Sequence, residues 1–82
     1  MYNYATKDVC SKNISFKIVD NKIIEVIFLG GCEGNLLGIS SLVKGMDVEE
    51  VIKKLKGITC DNKTTSCPDQ LALALEEFIV NA

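Results

Sequence analysis

Arginine, histidine and tryptophan are absent from this 82-residue chain, and proline occurs once. Without arginine there is no guanidinium fork for bidentate contact with bases or phosphates. Without histidine, the usual general base near neutral pH is missing, and so is a common metal ligand. No run approaches the ~20 apolar residues that a membrane helix needs. The N-terminal MYNYATKDVC lacks the basic-then-apolar layout of a secretory signal, so the expected location is cytoplasmic. Thiols and carboxylates are left to carry any chemistry.

The residues that are present describe a small globular chain, 48% hydrophobic and 24% charged, with a net charge of −2. One domain over residues 1–82 is expected, with a modest core of the kind that disulfides, a metal or oligomerisation often reinforce. Lys17, Lys22, Lys53, Lys54 and Lys56 are interspersed with acids. They read as a solvated surface rather than a phosphate-tracking patch, so nucleic acid is not an expected partner.

Alternation dominates the first third. In ISFKIVD (14–20), Ile14, Phe16 and Ile18 share one face and Ser15, Lys17 and Val19 the other. KIIEVIFL (22–29) is apolar and rich in β-branched residues. Asp20-Asn21 between the two predicts a tight hairpin turn. YNYAT (2–6) alternates as well and suits a third, edge strand. From Gly34 the period becomes helical, with Leu36, Ile39, Leu42 and Val43 in step and Gly45 as a stop. DVEEVIKKLKG starts a second helix at Asp47, with Glu50 placed for a capping box and Val48, Val51, Ile52 and Leu55 as its apolar stripe. A third helix opens at Ser66, with Pro68 in its first turn and Asp69 three residues after the cap. Leu71, Ala74, Leu75 and Phe78 face the sheet, and Leu73 and Val80 lie elsewhere, which predicts cover on more than one side. The fold class is α+β: two or three antiparallel strands, then three helices packed on them.

Four cysteines, Cys10, Cys32, Cys60 and Cys67, are the unusual residues, separated by 21, 27 and 6 positions. No Cys-x-x-Cys occurs, so neither a zinc ribbon nor a thioredoxin-like site follows from spacing. Each nevertheless falls at an element end. Cys10 precedes the first hairpin strand and Cys32 follows the second, so they belong at one edge of the sheet. Cys67 joins them if the last helix begins there, and the short loop carries Cys60 along. Cys32 and Cys67 adjoin helix N-termini, where unpaired N–H groups and the dipole favour a thiolate. Four readings stand side by side: a zinc or iron–sulfur site, a redox or sulfur-handling thiol site, small buried hydrophobes, and structural disulfides. The first is the leading expectation, with Gly31, Ser66 and Asp69 lining and orienting the sulfurs.

GGCEGNLLGISSLVKGMDVEEVIKKLKGITC followed by TSCPDQLALAL resembles the TSCPD domain family, in its small four-cysteine members, over Tyr2 to about Val80. That family includes C-terminal domains of adenosylcobalamin-dependent ribonucleotide reductases. The resemblance implies a link to ribonucleotide reduction, with a ribonucleotide reductase or an iron–sulfur or sulfur-transfer protein as partner. The chain is too short for the barrel, radical cysteine and substrate dithiol of a ribonucleoside-diphosphate reductase, so an accessory rather than a catalyst is implied. A more distant likeness is to NifU/IscU-type iron–sulfur scaffolds, whose three cysteine positions are matched in order by Cys10, Cys32 and Cys67. Lys12 stands where those scaffolds carry Asp, Ser66 where they commonly carry His, and Cys60 has no counterpart.

Other features have plainer readings. Asp61-Asn62-Lys63 is a polar loop, or a docking tip. Glu33 beside Cys32 is a solvated acid, or a base. Gly30 to Asn35 is similar to a phosphate-cradling loop but lacks the Lys-Ser/Thr pair that completes one. The expectation carried forward is a small non-catalytic module binding zinc or an iron–sulfur cluster. The alternatives are a thiol redox accessory and a homodimeric interaction module with buried cysteines.

Overall fold

The computed structural model describes residues 2–6, 9, 11–30, 33–59 and 64–81. Three strands, β1 (Tyr2–Ala5), β2 (Ser11–Val19) and β3 (Lys22–Gly30), are followed by helices α1 (Glu33–Val43), α2 (Val48–Leu55) and α3 (Cys67–Asn81). The strands form one antiparallel sheet in the order β1-β2-β3. This is the α+β arrangement expected from the change of hydrophobic period.

Asp20 and Asn21 have φ of 52° and 64°. Both lie in the left-handed region that a two-residue type I′ hairpin turn requires and that Asp and Asn tolerate. From this turn the register runs Val19↔Lys22, Ile18↔Ile23 and then Lys17↔Glu25. Ile24 is therefore an extra residue, a β-bulge that resets the alternation. Ile23 and Val26 both face the core, while Ile24, Glu25 and Ile27 face outward. On β2, Ile14 and Phe16 are fully buried and Lys17 and Val19 are exposed, as the alternation predicts.

The helices cover one face of the sheet. Val48 and Val51 of α2 and Leu71, Ala74 and Leu75 of α3 are fully buried with Ile14, Phe16 and Ile23. Phe78 closes this core against Phe16 and Tyr2, with ring centroids 5.9 and 5.6 Å apart, both edge-on. Two expectations fail here. Leu42 is 78% exposed, because α1 rests on β3 through Leu36 and Val43 and turns Leu42 away. Val80 is 81% exposed, because it lies beyond the part of α3 that packs on the sheet.

The connection from α1 to α2 is tied to the hairpin. Gly45 (φ 87°) donates its N–H to the Ile23 carbonyl at 2.7 Å, and Met46 accepts from the Ile23 N–H at 3.0 Å. Val48 N–H then donates to the Asn21 carbonyl at 3.0 Å. Asp47 occupies the N-cap of α2 but makes no side-chain cap. Its carboxylate pairs with Lys22 at 3.1 Å instead, so the expected capping box does not form.

Replacing Phe16 with alanine removes the centre of the aromatic cluster and should cost about 3–5 kcal/mol in urea unfolding. Leu42→Ala, at a position that helical spacing alone places in the core, should stay within about 0.5 kcal/mol of wild type.

Candidate functional site

The residues around the start of α3 form a buried polar network. Ser66, 2% exposed, is the N-cap: its Oγ accepts the Asp69 N–H at 3.2 Å, and its carbonyl accepts the Gln70 N–H at 2.8 Å. The same hydroxyl donates to the Ile58 carbonyl at 2.5 Å, joining the helix start to the chain that leaves α2. Thr65 donates its hydroxyl to Asp69 Oδ2 at 2.6 Å and accepts from Gln70 Nε2 at 2.9 Å. Asp69 Oδ1 accepts the Gly57 N–H at 2.7 Å. Gly57 has φ of 88°, a conformation that ends α2 at little cost only without a side chain.

Asp69 therefore differs from the capping-box partner that its spacing predicts. Instead of reaching back to the N–H of its own cap, its carboxylate spans from Gly57 to Thr65. Charge-assisted bonds of this kind are stronger than neutral ones, and a buried carboxylate is tolerable only when so satisfied. Among the described residues, no buried side-chain N or O atom lacks a partner. An exposed ion pair, Lys56–Glu76 at 2.8 Å, bridges the same two helices outside the network.

Cys67 is the first residue of α3 and is half-buried. Cys10, Cys32 and Cys60, together with Gly31 and Asp61-Asn62-Lys63, lie outside the described residues. The positions next to them are described, and they come in joined pairs. Ser11, after Cys10, is the register partner of Gly30, which stands two residues before Cys32. Ile58, two residues before Cys60, is hydrogen-bonded to Ser66, which precedes Cys67. Among the described residues, no group of three Cys, Asp or Glu side chains is placed to hold a metal.

The later turns of α3 meet the first strand through Tyr2. Tyr2 donates its hydroxyl to Glu77 at 2.9 Å. The Tyr4 phenol is raised above its ordinary value, by burial first and then by the charges of Glu77 and Asp69. Tyr2 pairs with Phe16 and Tyr4 with Ile14. Glu77 and Phe78, in the later turns of α3, thus lie beside Tyr2 and Phe16.

Sequence reasoning found Ser66, Pro68 and Asp69 as helix-start residues and Gly57 as the end of α2, but missed Thr65, Gln70 and the bond from Gly57 to Asp69. Their signal was present: a glycine ending α2 leaves a donor, and a cluster of hydroxyl, carboxylate and amide groups sits 8 to 13 positions later.

A family model, the TSCPD domain, matches residues 2–79. No curated protein and no solved structure matches the chain. The likeness to NifU/IscU-type scaffolds is accordingly not supported. Among the described residues, no helix is long and apolar enough to cross a membrane.

Asp69→Ala leaves the Gly57 N–H without an acceptor and the Thr65 hydroxyl with the Ser66 carbonyl at 3.5 Å, and should cost about 3 kcal/mol in urea unfolding, with Ser66→Ala nearer 1 kcal/mol. An Asp69→Ala midpoint equal to wild type would show that the network does not hold the helices together.

Proposed function

The chain belongs to the TSCPD domain family, and from that premise we propose that it is a small thiolate module. In this reading Cys10, Cys32, Cys60 and Cys67 bind zinc or an iron–sulfur cluster. The observation that carries the proposal is the pairing of their attachment points: Ser11 with Gly30, and Ile58 with Ser66. Two of the four cysteines branch from each joined point.

The donor chemistry agrees. With no histidine in the chain, an all-cysteine set is the soft-ligand site these residues can build, and it suits zinc or an iron–sulfur centre. Bound metal would supply cross-linking of the two joined points. The protein's own part is to hold them there through the Ser66–Ile58 bond and the Asp69 carboxylate, which keep α2 from drifting off the mouth of α3. Family membership supports a place beside ribonucleotide reduction as an accessory. The partner class is a reductase or an iron–sulfur or sulfur-transfer protein.

The Ile58–Ser66 bond also favours a second reading, in which Cys60 and Cys67 form a reversible disulfide. The two thiols would give up two electrons and two protons to an oxidised dithiol of a reductase and become the disulfide.

Metal analysis of anaerobically purified protein separates these readings. The first expects about one equivalent of zinc, or cluster iron with labile sulfide, falling to background in Cys67→Ser, together with a lower unfolding midpoint after chelation. Metal at background in wild type, with four titratable thiols, overturns it. Loss of one reversible disulfide in Cys60→Ser would then favour the redox reading.

A further inference from the structure

Among the described residues, the outer rim of β3 is open over half its length. The direction of its backbone groups follows from the ladders. Thr6 N–H donates to the Lys12 carbonyl at 3.3 Å, so the pairs in step with it, Tyr4/Ile14 and Tyr2/Phe16, are the hydrogen-bonded ones. Asn13, Ser15 and Lys17 then turn their backbone groups toward Leu29, Ile27 and Glu25. The N–H and C=O groups of Val26 and Phe28 consequently point off the sheet. At the start of the strand the outward groups of Ile23 are taken by Gly45 and Met46. Among the described residues, no backbone bond does the same for Val26 and Phe28.

The surface beside this rim is apolar. A groove of about 350 Å³ lies between β3 and α1, lined by Val26, Phe28, Gly30, Leu36, Leu37 and Ser40. Ile27 is 48% exposed, Leu29 62% and Leu37 61%. From Val26 to Val43 the sequence holds one charged residue, Glu33. Edge strands that stay solitary are shortened or guarded by lysine, proline or a covering element. VIFLG holds no lysine or proline, and among the described residues no element is hydrogen-bonded along this part of the rim.

We propose that this rim joins two copies of the chain, β3 to β3, antiparallel about Ile27, doubling the three-stranded sheet. Val26 of each copy then faces Phe28 of the other, completing the outward hydrogen bonds on both. Ile27 meets its own counterpart, and Glu25 falls opposite Leu29, so no like charges are opposed. A two-fold axis perpendicular to the sheet keeps both α1 helices on the same side. Leu37 of each copy is brought beneath the seam. A stable dimer of ordinary size hides about 800 Å² on each partner, a modest share of the 5063 Å² of this chain. An extended peptide from another protein could complete the hydrogen bonds but would bring no second α1. A second copy supplies both, which is why the assignment is to self-association. It is independent of the thiol site.

The test is the mass in solution of the full chain, by sedimentation equilibrium with reductant and chelator present, so that neither a disulfide nor a metal can link the copies. Wild type should have twice the 9.0 kDa of one chain. Ile27 projects to solvent opposite Ser15, so Ile27→Lys and Ile27→Glu should keep the wild-type circular dichroism. Each alone should dissociate as like charges meet at the axis, and mixing the two should restore the dimer. Leu37→Lys, on the other element, should weaken association at least tenfold and serves if the strand variants misfold. A wild-type monomer at the highest soluble concentration overturns the proposal. So do Ile27→Lys and Leu37→Lys proteins that dimerise like wild type.

Discussion

A single buried carboxylate holds the helical layer of this protein together. Asp69 takes the free backbone donor that Gly57 leaves at the end of α2 and the hydroxyl of Thr65 before α3. The charge is expensive to bury, and both of its oxygens are bonded, so the position of each helix end is set by where the other can reach it. Apolar packing alone would fix this less sharply. Val48, Val51, Leu71 and Leu75 are interchangeable oil to a first approximation, whereas the Gly57–Asp69 bond has one geometry. The mouth of α3 is thereby held against the chain leaving α2, and the attachment points of Cys60 and Cys67 with it.

The sheet applies a comparable constraint from the other side. The type I′ turn at Asp20-Asn21 sets the hairpin register, which then shifts twice, at the extra residue Ile24 and again between Asn13 and Ser11. Without the first shift, Val26 would change faces and the apolar set of β3 would oppose itself. With it, Ile23 and Val26 both enter the core, and the second shift sets Ser11 beside Gly30 at the far end. The family's cysteine positions are attached where these two constraints, one polar and one of register, act on the backbone.

Much of this was legible from the residues. Alternation in ISFKIVD, Asp-Asn between two β-branched runs, and Ser66 with Pro68 before an apolar stripe all report local physics, and the elements formed as read. What the sequence hid was longer in range. Nothing in KIIEVIFL marks Ile24 as the extra residue, because bulges depend on what the partner strand does. Leu42 shares helical spacing with Leu36 but not its fate, because α1 packs chiefly on β3, through Leu36 and Val43. Asp47 and Asp69 both sit in capping contexts, and both spend their carboxylates on distant partners. For the candidate site, the placement of Cys67 at the start of α3 was legible. The joining of Ile58 to Ser66 depends on a bond between positions 8 apart across a loop, which spacing does not specify.

The contact between Tyr2 and α3 has a topological consequence. Its hydroxyl reaches Glu77, 75 positions away, and its ring lies against Phe78, so the first strand and the last helix are joined on one flank. Contacts between positions this far apart carry a large loop-closure cost before they give anything back. Strand β1 therefore gains its cover only when α3 docks, and the outermost strand and the last helix are bound into one cooperative unit.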